Sequence, residues 1–248
     1  MLELSHLSAG YGEKTVLRDV SFTLPRGTLT AIVGPNGSGK STLLKTALGI
    51  LPPKQGAVLL DGAPISQIKR TCVAKRISYL AQSTTVPDMT VYEAVLHGRF
   101  PHLSYPRRYR ESDRIAARAA MERTGVLPYA DTRLSSLSGG ERQNALIAMA
   151  LAQDTDILLL DEPTASLDVR HAYTLLGTLK ALTKEEKAVA VVMHDLPLAF
   201  SFCDKVAVLA ERTLLAHGTP HEVLSSGAVE RAFGVALSHT AQGYFYRY

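Results

Sequence analysis

The chain of 248 residues is 46% hydrophobic and 20% charged, with a net charge of +4 and a pI near 9.0, values that exclude a fibrous or disordered protein. At about 150 residues per domain the length allows one large domain or two small ones, and no segment approaches the ~18 consecutive apolar residues of a spanning helix. Cys72 and Cys203 lack metal-ligand spacing, and the opening MLELSHL has no basic stretch ahead of an apolar one, so a cytosolic, reduced chain is expected.

In chain order, residues 1–24 alternate apolar and polar residues (LELSHLSAGY, then VLRDVSFTL), as half-buried strands do, with a turn at Gly10–Glu13. Leu29–Val33 is a continuous apolar run ending at Gly34, the pattern of a strand buried on both faces of a parallel sheet. Helical spacing follows over Lys40–Leu48, closed by Pro52 and Pro53. From Val86 to Ala152 the character changes: SDRIAARAAMERTG and ERQNALIAMALAQ are alanine-rich and helix-periodic. This predicts a helical subdomain, residues 86–152, inserted into an α/β core within a single domain over residues 1–248. The basic knot PRRYRESDR, Pro106–Arg114, reads as a solvated helix entry. The core resumes with Ile157–Leu160, ending at Asp161, and Ala188–Met193, ending at His194. The aromatic tail GYFYRY reads as a terminal strand or packing flap.

Gly34, Pro35, Asn36, Gly37, Ser38, Gly39, Lys40, Ser41 and Thr42 fit the phosphate loop G-x-x-x-x-G-K-[ST] between a strand and a helix. Its glycines let backbone N–H groups point inward around phosphates, Lys40 reaches the β and γ phosphates, and Ser41 is placed to ligand Mg²⁺. ILLLDEP adds two carboxylates: Asp161 at the strand end, suited to Mg²⁺, and Glu162, suited to orient and deprotonate a water attacking a γ-phosphate. The strand-end rule for open α/β sheets gathers Gly34, Asp161 and His194 on one edge, with His194 a γ-phosphate contact. The remaining histidines show no metal pattern and read as surface or packing residues. In LSGGERQ, the hydroxyl of Ser138 and the glycines Gly139 and Gly140 precede a helix, which makes a second anion site.

The phosphate loop, Gln82 in YLAQ, LSGGERQ, LLLDEP, Ser166-Leu167-Asp168 and His194 stand in the order seen in ATP-binding subunits of ABC transporters, and the chain resembles them over essentially its whole length. The resemblance implies a RecA-like P-loop ATPase core with an N-terminal antiparallel β subdomain and an inserted α-helical subdomain. It also implies a homodimer in which Ser138, Gly139 and Gly140 of one copy cap the ATP held by the other. Tyr11 then stacks on adenine, Gln82 links Mg²⁺ and the γ-phosphate to the helical subdomain, and Asp168 communicates across the dimer. ATP and Mg²⁺ are the implied cofactors. The implied setting is the cytoplasmic face of the inner membrane, peripheral to a permease dimer and indirectly served by a substrate-binding protein, with no nucleic acid expected.

TVYEAVLHGRFPH, Thr90–His102, resembles the corresponding stretch in importers of iron–siderophore complexes, haem and cobalamin, and HGTPHEVL fits the same group. Coupling to the permease is therefore expected near Arg99–His102. The alternatives are a zinc or manganese importer and a soluble ABC ATPase acting on a cytosolic assembly scaffold. Two departures bear on hydrolysis: Asn144 and Met149 stand where the family commonly has arginine.

Overall fold

The computed structural model describes residues 1–82, 88–165, 167–240 and 243–247. Val86, where the helical insert is expected to begin, and Ser166 lie outside the described residues.

The alternating N-terminal segment forms β1 (Leu2–Tyr11) and β2 (Lys14–Leu24), an antiparallel hairpin turning at Gly12 and Glu13. Next come β3 (Leu29–Val33) and α1 (Lys40–Ala47). β4 (Gln55–Leu60) and β5 (Ala63–Pro64) then turn back through Asp61–Gly62, completing an antiparallel sheet of order β2-β1-β4-β5. α2 (Arg70–Ala74) and β6 (Ile77–Leu80) lead to the helix-rich stretch, with α3 (Val91–His97), α4 (Glu111–Arg123) and α5 (Gly139–Ala152). The rest runs β7 (Ile157–Asp161), α6 (Val169–Thr183), β8 (Ala188–Val192), α7 (Leu196–Phe202), β9 (Lys205–Ala210), β10 (Thr213–Gly218), α8 (Pro220–Ser225), α9 (Ala228–Phe233), β11 (Ala236–Thr240) and β12 (Gly243–Arg247).

The second sheet has order β10-β9-β3-β8-β7-β6, parallel except for the edge strand β10. Parallel neighbours need crossover connections, which the helices supply, and the helices in turn cover both faces. Hence LTAIV and ILLL do not alternate: Ala31 and Val33 face the buried cluster shared with α6 and α7, while Ile32 faces the cluster shared with α1 and the antiparallel sheet. Both sides are apolar because both are covered.

Between β6 and β7, a third buried cluster gathers Val91, Val95, Met121 and Leu134. α5 belongs to two clusters at once. Leu146, Ile147 and Ala150 face the sheet, and Ala145, Ala148 and Ala152 face the third cluster. Small side chains are what permit a helix to be enclosed from two sides.

Polar side chains tie α5 to its neighbours. Arg99 donates to Asp113 Oδ1 at 3.1 Å and to the Ala152 carbonyl at 2.9 Å, and His102 Nε2 lies 2.8 Å from the Gln153 carbonyl. Gln153 donates to the carbonyls of Ala74 and Ile77 at 2.6 and 3.1 Å. Arg99 and His102, near which coupling to a permease is expected, spend these polar groups holding the end of α5. The tail forms the strand β12, which pairs with β11 and rests on α7 through a Phe200–Tyr244 ring contact at 5.4 Å.

Candidate functional site

The parallel strands deliver their C-terminal ends to one edge. There lies a cleft of ≈ 720 Å³ lined by Tyr11, Asn36, Gly37, Gly39, Lys40, Ser41, Thr42, Gln82, Glu162 and His194, together with Lys14, Thr15, Val16 and Arg212. Gly34 must be glycine because a Cβ there would come within 2.1 Å of the Leu209 carbonyl oxygen. Gly39 caps α1 at φ 102, in the left-handed region, and a Cβ would also meet Leu17 Cδ2 at 2.6 Å. The loop therefore crosses the β9 backbone and the β2 side chains at close contact and presents the start of α1 to the cleft. A helix start with free N–H groups favours anions.

Lys40 is buried and donates to the carbonyls of Gly34 at 2.8 Å and Pro35 at 3.1 Å. Burial pushes its pKa down, while the Glu162 and Asp161 carboxylates oppose that shift. Gly34, Pro35 and the buried Ser38 form the back of the loop and do not line the cleft.

Glu162 adopts φ 54, a left-handed conformation for a non-glycine residue directly after β7. Its side chain is only 12% exposed and holds two neighbours: Gln82 Nε2 donates to Oε2 at 2.6 Å, and His194 Nε2 stands 2.6 Å from Oε1. The ends of β6, β7 and β8 thereby converge on one carboxylate. Strain of this kind persists where the surroundings over-determine it, and it clusters at functional sites.

Asp161, one residue earlier, is 3% exposed. Its Oδ2 accepts from the Tyr79 hydroxyl at 3.3 Å, and its Oδ1 has no hydrogen-bond partner. Burial is the main cause that pushes its pKa above the usual carboxylate range; Glu162 adds to it, and Ser41 and Tyr79 oppose it. A buried, orphaned carboxylate oxygen beside the phosphate-loop hydroxyl of Ser41 fits a hard cation. Among the described residues no group of three or more His, Cys, Asp or Glu forms a metal cage.

Ser138, Gly139, Gly140 and Asp168 do not line this cleft. Ser138 is the N-cap of α5 in a capping box: Glu141 N–H donates to its Oγ at 3.3 Å, and its own N–H donates to Glu141 Oε2 at 2.9 Å. Gly139 is exposed, and Gly140 faces Leu167 and His171. Asp168 caps α6, with Oδ1 accepting from the His171 N–H at 2.8 Å. The residues Ser138–Gly140, where a second anion site is expected, thus stand apart from the cleft within one copy. Asn144 faces a groove with Thr174 and Thr178, and Met149 packs against the sheet-side cluster, so neither lines the cleft.

Lys14, Thr15, Val16 and Arg212 are cleft residues that the motifs did not reveal. The strand-end rule, applied to KVAVLA as well as to the three strands it was used for, points to Arg212. Lys14–Val16 follow from the Tyr11 hairpin, whose second strand passes under Gly39.

The family model described as "ABC transporter" matches residues 17–165. The ferric enterobactin transport ATP-binding protein FepC of Escherichia coli is 44% identical over 231 residues, 92% of this chain and 85% of that protein. Among solved structures, cbiO1 from Clostridium perfringens, part of the ABC transporter complex cbiONQ, aligns with a TM-score of 0.80 at 30% identity, covering 93% of this chain and 92% of that one. A dimeric structure of a bacterial ABC transporter cassette aligns with a TM-score of 0.78 at 27% identity, covering 89% of this chain and 99% of that one.

Proposed function

This chain belongs to the ABC transporter family, and we propose that it is the ATP-hydrolysing subunit of an importer that takes up an iron chelate through a separate membrane permease. The ATPase reading is carried by the convergence of Lys40, Gln82, Glu162 and His194 on one cleft beside a phosphate loop. The chelate reading is supported by the 44% identity to a ferric enterobactin transport subunit. Among the described residues no helix is long and apolar enough to cross a membrane, which fits a peripheral subunit.

The backbone N–H groups of the loop wrap the phosphates, and Lys40 exchanges the Gly34 and Pro35 carbonyls for β and γ phosphate oxygens. Glu162, oriented by Gln82 and His194, holds the attacking water and receives its proton as the bond to the γ-phosphorus forms and the bond from that phosphorus to the β–γ bridging oxygen breaks, leaving ADP and phosphate. Tyr11, half exposed on the cleft wall, offers a ring face to adenine. Ser41, Asp161 and Gln82 are the residues that would hold Mg²⁺, which when bound supplies charge neutralisation at the β and γ phosphates.

The separation of Ser138–Gly140 from the cleft supports a homodimer in which each α5 start caps the nucleotide of the other copy, with Asp168 beside it. Residues 86–152 then act as a subdomain that carries this cap. A groove of ≈ 490 Å³ lined by Leu48, Ile50, Pro53, Ile68 and Tyr79, with Ile50 exposed, adjoins β6 just before Gln82. It offers the permease an apolar seat next to the γ-phosphate contact. A substrate-binding protein acts on the far side of that permease.

The test is to trap the Glu162→Gln protein with ATP and Mg²⁺ in detergent-solubilised native membranes and identify what purifies with it. A many-helix permease is the expected result. Recovery of soluble assembly proteins alone would overturn the importer reading and leave the ATPase.

A further inference from the structure

The turn between β9 and β10 is two residues long, since Ala210 pairs with Thr213. Both of its residues are left-handed: Glu211 at φ 50 and Arg212 at φ 68. Such a turn favours Asn-Gly or Asp-Gly. The chain obeys that preference elsewhere, in the β4–β5 turn, where Asp61 (φ 48) and Gly62 (φ 83) fill the equivalent positions. At Arg212 the backbone would be served by glycine, yet the residue is the bulkiest of cations. Backbone strain of this sort argues for a use of the side chain.

The surroundings indicate that use. Arg212 lines the cleft, is exposed, and its guanidinium makes no ion pair among the described residues. Its backbone is fixed, because the Arg18 N–H donates to the Arg212 carbonyl at 2.7 Å, tying the turn to β2 beside Leu17 and Val16. The sheet order then locates it along a bound nucleotide. The groups that face the γ-phosphate, Gln82, Glu162 and His194, come from β6, β7 and β8, on one side of β3. Arg212 follows β9, on the other side of β3, and the Arg18 N–H bond ties it to β2, the strand that carries Lys14–Val16 and pairs with Tyr11. A nucleotide laid across the loop with its γ-phosphate toward β7 carries its base and ribose toward β9.

We infer that Arg212 is a nucleotide-contacting residue at the nucleoside end, holding base and ribose opposite Tyr11 and setting affinity, with no part in cleavage of the γ-phosphate. The inference rests on the nucleotide assignment of the cleft. A guanidinium suits the role because it donates from a rigid planar fork and stacks on aromatic rings.

The experiment measures ATP and ADP binding by titration calorimetry on the full chain, as wild type, Arg212→Ala, Arg212→Gly and Arg212→Lys, with steady-state ATPase and thermal melting on each. Arg212→Ala keeps the strained backbone and removes the contact, so Kd should rise about three- to tenfold, as for a partly exposed cation contact. The rise should be equal for ATP and ADP, with KM following and kcat unchanged. Arg212→Gly should lose the same affinity and yet melt higher than wild type, which separates the contact from the fold. Arg212→Lys should recover part of the affinity. Unchanged Kd in both Ala and Gly variants would overturn the inference, as would a loss confined to ATP, which would put Arg212 at the γ-phosphate. Failure of wild type to bind either nucleotide would instead refute the assignment of the cleft itself.

Discussion

Replacing Arg99 with alanine should damage stability before it damages coupling. The Arg99 and Asp113 side chains are 12% and 7% exposed, and the same guanidinium satisfies the last carbonyl of α5. Burial alone would raise the Asp113 carboxyl, but the Arg110 N–H and the Arg99 charge outweigh it and hold the carboxyl below its usual range. Breaking a fully buried pair from one side costs about 3–5 kcal/mol and an exposed pair at most about 1 kcal/mol. The Arg99 pair lies near the molecular surface but shielded, so about 2–4 kcal/mol is expected, a melting temperature lower by roughly 5–15 °C for a chain of this size. In an Asp113→Asn background, which keeps the acceptor for the Arg110 N–H and removes the charge, Arg99→Met should cost under half as much. Since the folded-state pKa of Asp113 is depressed, the pair's contribution is full above about pH 5 and fades as pH falls below the ordinary carboxylate value of about 4. Thermal melts of the four proteins at neutral and acid pH decide the matter. A drop of less than 1 °C in Arg99→Ala accompanied by collapse of transport would show that the arginine faces a partner, and the reasoning would fail.

Glu162→Gln should lower turnover by about 100-fold or more while ATP still binds, because it removes the proton acceptor without touching the loop; ATP hydrolysis at the normal rate would unseat Glu162 as the base. Glutamine also offers one oxygen where Gln82 and His194 now share two. Lys40→Ala should show the opposite pattern, with nucleotide binding itself lost in a titration. For Asp161, whose carboxyl pKa is raised by burial, the sign runs against stability at neutral pH: folding weakens as pH climbs from about 4 through the raised value. Asp161→Asn should therefore melt a few degrees higher than wild type at pH 7.5, by about 1 kcal/mol, with the gap closing toward pH 5, while the extra stabilisation by Mg²⁺ with ATP disappears. A gap that stays constant with pH would show that the buried charge is not its source.

Much of the site was legible because its residues sit where strands must end. LTAIV, ILLL and AVAVVM are apolar on both faces, so each reads as a buried parallel strand, and the residue after each run, Gly34, Asp161 or His194, falls on one edge. The hairpin of β4 and β5 is not legible in the sequence although Asp61–Gly62 is a strong turn signal, because QGAVLL is too short to show alternation. The role of Ser138 is half legible in the sequence. The spacing S-x-x-E also spells a capping box, and the structure uses the hydroxyl that way within one copy. The partners of Arg99 and His102 are not legible in the same way: motif position says where a segment lies in the chain, and only packing says which way an arginine turns.

From Ala145 to Ala152, α5 is wedged between two buried clusters. At 1.5 Å per residue, its 14 residues form a rod of roughly 21 Å. A tilt of about 5° pivoting at Gln153 would swing Ser138 by almost 2 Å, the difference between a formed and a broken hydrogen bond. Alanines on both sides set the play of that rod. A single added methylene at Ala145 or Ala148 would act as a shim, changing how far the tip travels without altering any group that touches ATP.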